Sequence, residues 1–497
     1  MPSATDNIKH LILVMMENRS FDHFFGFLKS PDYPINGLNG NETNPAPDGT
    51  LIKVSKAAQN AGDLWPDPGH FLIDVNEQIF SNKNGTGDGT PLMQGFVKNY
   101  FGHTGNLTKA RKIMKCFDPA RIPVLKTLAQ EYAICDNWFS SVPGPTLPNR
   151  AFVNYGTSMG RVDMAPDWGG NFKSIYELLD TEKPSVSTKI YFHDSTITQQ
   201  IAYLKKNQGK FFGTFDNFLK DCKKGTLPTY TVVEPRFNSD ATFAANDQHP
   251  DHEVAEGERL ISDVYTALRK NKTLWESSML VIVYDEHGGL FDHVTPPKTV
   301  NPDDKNSSLP AFDFQRLGVR VPAVVVSPYI KRGTIISTLF DHTSVIATAR
   351  KLFTKDFSKN ALSKRDAQAN TLDVCLTLDV PRTDTITFPK PAKLADVSEG
   401  MGLLAAPATA KPKRKPKVIH EMSEFQLAML HQGLALESEL PSAQQSGKTI
   451  RSFKTEHDVA QYLRDLAGKL QAPATTPRKT VAKKTAMTTP KKSGGKK

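Results

Sequence analysis

Cysteine is scarce in this chain, and its placement excludes two classes of fold. Cys116, Cys135, Cys222 and Cys375 are spread through 497 residues without a CxxC pair. Neither a disulfide framework nor a zinc knuckle is indicated, and buried free thiols are expected. Long apolar runs are missing as well: no stretch approaches the ~20 residues that a membrane helix needs. The first residues offer one Lys, then a short apolar stretch that runs straight into Glu17 with no small-residue cleavage site, unlike a secretory signal. The expected location is the cytoplasm, or outside it by a route that needs no cleaved leader. The glycine-rich SNKNGTGDGT at 81–90 has neither the GxxxxGKS/T pattern nor a strand before it, so it reads as a loop and not as a phosphate cradle. Residues 472–497 lack Asp and Glu and carry eight Lys and Arg; without them the net charge of +10 falls to 54 basic against 52 acidic residues. The basicity belongs to the tail, where it provides sequence-blind attraction to anionic membrane or nucleic acid.

What is present is a set of apolar runs that stop at polar clusters. Leu11–Met16 is continuously apolar and ends at Glu17, Asn18 and Arg19. Such a run reads as a strand buried on both faces of a parallel sheet, with its polar residues at the carboxyl end, where α/β sheets bind ligands. Ser20 is placed to cap a helix carrying Phe21, Phe24 and Phe25. Glu17 and Asn18 offer hard oxygens for a divalent metal, and Arg19 a fork for phosphate or a structural carboxylate. His70 precedes a stretch of helical spacing through Phe71, Leu72, Val75 and Ile79. A further helix is expected over 122–133, with Pro123 in its first turn. In GPTLPNR, Gly144, Pro145 and Pro148 stiffen the turn around Thr146 ahead of a helix expected from Asn149. A hydroxyl there faces free N–H groups, a natural place for phosphate.

Farther on, KIYFHD and YTVVEP read as strands, and His249 and His252 sit beside Asp247 and Asp251 in a polar loop ahead of an amphipathic helix. Such a pair is unlike core packing, and metal or phosphate contact is a candidate role for one of the two. Leu280–Tyr284 repeats the opening pattern, ending at Asp285 and Glu286, which would repel one another unless a cation held them. His287, Gly288, Gly289, Asp292 and His293 follow. Val321–Ser327 is a third apolar strand, and Asp341, His342 and Thr343 read as a helix cap. Beyond Val380 the segment at 405–417 is a Pro, Ala and Lys-rich linker, with helical segments near 421–436 and 456–470. The expected organisation is a catalytic domain over 1–385, a linker and helical extension over 386–471, and a disordered Lys-rich tail over 472–497.

A hydroxyl nucleophile, hard-oxygen ligands and histidines at strand ends suit phosphoryl transfer through a covalent intermediate. MMENRSFDHFFG, GPTLPNR, HPDHEVAEGE, YDEHGGLFDHVTPP and DHTSVI occur in that order over residues 8–385. In these motifs the chain resembles the bacterial phosphoesterase family of phosphatidylcholine-type phospholipase C and a related acid phosphatase, within the alkaline phosphatase superfamily. The resemblance implies an α/β fold, an alkaline-phosphatase-like sandwich with a mostly parallel central sheet flanked by helices. It implies a divalent metal of unspecified identity, held by Glu17, Asn18, Asp285 and Glu286. It makes Thr146 the nucleophile and a further ligand, and gives His249, helped by His70, the phosphate or the leaving group. His252, His293 and Asn149 are the remaining candidates for substrate binding. Members resembling phospholipase C carry Thr in the nucleophile motif and the acid phosphatase carries Ser. Thr146 therefore implies a phosphodiesterase acting on phospholipid head groups, with a broad phosphomonoesterase as the alternative.

Overall fold

A computed structural model describes residues 4–60, 64–82, 85–165, 170, 172–240, 242–384, 386, 388 and 422–471. The expected linker at 405–417 and tail at 472–497 lie outside these residues. The centre is an eight-stranded sheet of His10–Met16 (β1), Ala133–Cys135 (β2), Thr188–Phe192 (β3), Phe212–Thr214 (β4), Tyr230–Val233 (β5), Ser278–Tyr284 (β6), Ala323–Val326 (β7) and Thr334–Ile336 (β8). Their spatial order is β8-β2-β7-β6-β1-β5-β3-β4. All pairs are parallel except those of β7, which runs antiparallel to both β6 and β2. The reason lies in the connection. The chain leaves β6 at its carboxyl end and starts β7 at that same end, with Ala323 opposite Val283, and no crossover carries it back.

The register places the chemistry. Met16 pairs with Tyr284, so Glu17–Asn18 and Asp285–Glu286 leave neighbouring strands at one level. Leu11–Met16 and all of β6 are buried, which is why neither run alternates. After β1, Ser20 caps Phe21–Phe25 (α1), accepting a hydrogen bond from the His23 N–H. Helix Leu72–Phe80 (α2) follows His70, and Pro123–Glu131 (α3) starts on its proline and stops before Ala133 joins the sheet. Thr146–Tyr155 (α4) begins three residues earlier than its sequence suggests. Pro148 falls in its first turn, where the missing N–H has no intrahelical partner to lose. Val254–Lys270 (α5) and Thr343–Phe353 (α6) flank the sheet, and Glu424–Ser438 (α7) and Glu456–Gln471 (α8) close the described chain. Phe425 and Leu463 of this last pair belong to the same apolar cluster as β1. All four cysteines are buried and free. Among the described residues no helix is long and apolar enough to cross a membrane.

Candidate active site

At the carboxyl ends of β1 and β6, oxygens converge on the first residue of α4. Thr146 Oγ1 lies 3.2 Å from Asn18 Oδ1 and 3.5 Å from Glu17 Oε2, with all three residues buried. One helical turn on, Arg150 points the same way. Its Nε is 3.1 Å from both Glu17 Oε1 and Asp285 Oδ2, and its Nη2 is 2.5 Å from Glu17 Oε1. The other Asp285 oxygen accepts from the N–H groups of Asn18 and Glu286 at 3.0 and 2.8 Å. Gly288 accepts a close approach, since a Cβ there would stand 2.3 Å from the Asn18 carbonyl oxygen.

Burial pushes the Glu17 carboxyl well above its usual range, and the neighbouring Asp285 adds to this against the pull of Arg150. Glu286 Oε1 is buried without a hydrogen-bond partner. A hard-oxygen donor set with an orphaned carboxylate oxygen and an acid under repulsion fits a divalent cation. Among the described residues, the groups of three or more His, Cys, Asp or Glu whose ligand atoms lie within 4.8 Å of one another are instead His249, Asp251 and His252, and Asp22, Asp292 and His293. In the second, Arg320 already pairs with both carboxylates, at 3.0 and 3.1 Å.

The histidines stand in a second cluster. His249 Nδ1 lies 2.5 Å from Asp251 Oδ1 and its Nε2 lies 3.2 Å from Asp67 Oδ2. Burial pulls this imidazole down, but Asp67 and Asp251 outweigh it and hold its pKa well above the ordinary value. His252 is raised in the same way by Asp247 and Asp251, with Glu456 of α8 placing Oε2 3.4 Å from its Nε2. His70 donates from Nδ1 to the Pro68 carbonyl at 2.8 Å, and Glu286 and Asp67 raise it against burial. Arg19 joins the two clusters. Its fork donates to the backbone carbonyls of Gln248 and His249 at 2.6 and 3.0 Å.

Glu17, Asn18, Thr146 and Asp285 are thus brought together, Glu286 joins them through its backbone N–H to the Asp285 carboxylate, and His249, His252 and His70 form the neighbouring group. Asn149 is engaged elsewhere: its amide donates to the carbonyls of Val142, Gly144 and Pro145 and fastens the turn before Thr146. His293 pairs with Asp22 at 2.6 Å. The cap before α6 is provided by Asp341, which accepts the Thr343 N–H. His342 instead places Nε2 2.6 Å from the carbonyl oxygen of Asp285. Sequence reasoning missed Arg150, Asp67, Glu456 and this role of His342, whereas Asp247 and Asp251 were noted beside the histidines they pair with. Arg150 alone carried a local signal, its four-residue spacing from Thr146.

The model described as "Phosphoesterase family" matches residues 8–354. The chain belongs to the phosphoesterase family. This phosphoesterase is 40% identical over 409 residues to non-specific phospholipase C6 of Arabidopsis thaliana, covering 78% of this chain and 76% of that one. It is 27% identical over 404 residues to phospholipase C B of Mycobacterium tuberculosis, covering 71% and 74%. The family expected from bacterial motifs therefore extends to plants, where the greater of these two identities lies. Among solved structures, similarity extends to a protein in the alkaline phosphatase superfamily from Vibrio parahaemolyticus, with TM-score 0.33, 11% identity and coverage of 52% and 66%. The lipoteichoic acid synthase LtaP from Listeria monocytogenes gives TM-score 0.36, 12% identity and coverage of 74% and 76%. The phosphoesterase is a phosphoric ester hydrolase with an α/β fold whose sheet is mostly parallel, as its sequence implies.

Proposed function

We propose that this hydrolase is a phospholipase C that cleaves the phosphodiester of a phospholipid head group through a covalent phospho-threonine at Thr146. The observation that carries the reading is the Thr146 hydroxyl at the start of a buried helix, 3.2 Å from Asn18 Oδ1 and beside Glu17. Its relatives named phospholipase C cover most of its length. Glu17, Asn18, Thr146, Asp285 and Glu286 would hold a divalent cation, which when bound polarises the phosphate and lowers the pKa of the hydroxyl.

The chain's own groups do the rest. The amino end of α4 presents free N–H groups to negative charge. Arg150 keeps Glu17 and Asp285 together despite their repulsion. Thr146 Oγ1 gives its proton to Glu17 Oε2, 3.5 Å away, and forms a bond to phosphorus as the bond from phosphorus to the glycerol oxygen breaks, and His249 gives its Nε2 proton to that departing oxygen. The resulting neutral imidazole then takes a proton from the water whose oxygen bonds to phosphorus, the bond from phosphorus to Oγ1 breaks, and Glu17 returns the proton that restores the hydroxyl as the phosphorylated head group leaves. Asp251 and Asp67 keep His249 protonated for the first of these steps.

Mass spectrometry of the soluble products from phosphatidylcholine vesicles with added divalent metal, beside a Thr146→Ala control, tests the reading. Phosphocholine from the wild type alone is expected. Cleavage of a simple aryl phosphate with no phosphocholine released would make the protein a phosphomonoesterase instead.

A further inference from the structure

The hairpin formed by Ser307–Ser308 and Ala311–Phe312 turns through Leu309 and Pro310. Leu309 is 89% exposed, more than any other large apolar side chain among the described residues. Single exposed apolar residues are ordinary on a protein surface. This one stands out because of where its hairpin is rooted. Phe312 and the buried Phe314 pack with ring centres 4.9 Å apart and planes tilted by 60°, and join a small apolar cluster with Leu72 and Val142. Leu72 lies two residues beyond His70, and Val142 four before Thr146. The hairpin therefore rises from the end of the sheet that carries the catalytic groups.

Helix α2 is tied to the same base. Arg316 lies over both Phe80, the last residue of α2, and Phe312, at 4.8 and 5.8 Å from the ring centres, and donates to Asn76 of that helix at 2.5 Å. Ile73 on α2 is 51% exposed, and Leu92, whose N–H is bonded to the Ile79 carbonyl, is 55% exposed. Charge near the tip is balanced. Lys364 pairs with Asp304, Thr157 donates to Asp303, and Lys305 lies over the Phe172 ring. An apolar tip in a charge-balanced surround complements a zwitterionic interface and gains nothing special from anionic lipid.

We propose that this hairpin is the membrane-docking element of the enzyme, with Leu309 entering the boundary between head groups and acyl chains of a zwitterionic phospholipid bilayer. The inference rests on the phospholipase reading, since a substrate drawn from a bilayer must reach a site whose Thr146, Glu17 and Asp285 are fully buried. It adds to that reading which surface faces the lipid.

The test uses the full chain, Leu309→Asp, and Val380→Asp as a control. Val380 is 66% exposed, and nearby Arg382 bonds the Glu131 carbonyl just before β2 begins, at the opposite end of the sheet. Sedimentation with phosphatidylcholine vesicles is measured at about 0.5 M salt, which screens the basic tail. Turnover is followed on the vesicles and on a soluble aryl phosphocholine. Leu309→Asp is expected to lower vesicle binding and vesicle turnover by about tenfold or more, with soluble-substrate turnover unchanged. Val380→Asp is expected to change neither. A Leu309→Trp variant should show indole fluorescence quenched by brominated lipid, a readout independent of catalysis. Vesicle binding of Leu309→Asp equal to wild type, or an indole at 309 untouched by brominated lipid, overturns the inference even if phosphocholine is released. Loss of binding in Leu309→Asp while the wild type releases no phosphocholine would support the docking surface and sink the substrate reading.

Discussion

Around Thr146 the site is held by the sheet, whereas around His249 and His252 it is held by side-chain pairs. Glu17–Asn18 and Asp285–Glu286 continue two adjacent parallel strands, and backbone N–H groups fix the Asp285 carboxylate. The histidines depend on Asp67, Asp247, Asp251 and Glu456, drawn from two loops and the amino end of α8. In the first region Arg150 pairs with Glu17 and Asp285 and leaves Glu286 Oε1 without a partner, which a divalent cation would relieve; in the second the carboxylates pair with imidazoles. Loss of a group should therefore be felt as lost cation affinity and chemistry in the first region, and as a shifted pH profile in the second.

The largest effect is expected at the nucleophile. Thr146→Ala should lower single-turnover cleavage by roughly 10⁴-fold or more, the scale of removing an attacking hydroxyl, while Thr146→Ser should keep a phosphoenzyme that mass spectrometry detects. Next comes Arg150→Met. It leaves the buried Glu17 and Asp285 carboxylates without their cation, at about 3–5 kcal/mol for a broken buried pair. Denaturant unfolding should show that loss without added metal and a partial recovery with it. No recovery with any divalent cation would break the contrast between the two regions.

Asp251→Asn sharpens the other side. The His249 pKa is raised in the folded state by Asp67 and Asp251 against burial. The stabilisation this gives is fully present below the unfolded value of about 6.5 and is lost as pH rises through the folded value. Removing one carboxylate lowers the folded pKa. The alkaline fall in kcat should move to lower pH, and the alkaline decline in stability should become shallower. A pH profile identical to wild type would show that His249 is not the proton donor.

How much of this was legible in the sequence follows from the same contrast. β1 and β6 are continuous apolar runs because neighbours pair on both sides and helices cover both faces, and the polar residues after them could only lie at the crevice. Strand β7 was visible as a run, but its direction was not, since direction is set by a connection that does not cross the sheet. His70, His249 and His252 were noticed as histidines in polar surroundings. Their near partners Asp247 and Asp251 stood beside them, but Asp67 and Glu456 are ordinary acids until the fold brings them in. His342 was taken for a cap because DHT before an apolar run suits one, and only the fold puts its imidazole on the Asp285 carbonyl.

The smallest effect is expected at Glu456, and it shows whether α8 takes part in the site or only packs beside it. Its carboxylate accepts from Gln426 at 3.1 Å and from the Ser239 N–H at 3.3 Å, and it faces His252 Nε2 at 3.4 Å. Glu456→Gln keeps the size and an accepting oxygen, so the first two bonds can persist and unfolding should change by about 1 kcal/mol or less. The charge facing His252 is lost, which removes one of the contributions that raise that imidazole and lowers its pKa. Because Asp247 and Asp251 remain, the downward shift should be smaller than that of His249 in Asp251→Asn, and kcat should fall only a few-fold. Histidine titration followed by NMR reads both shifts directly. An unchanged His252 titration in Glu456→Gln would mean that α8 serves the site by packing alone.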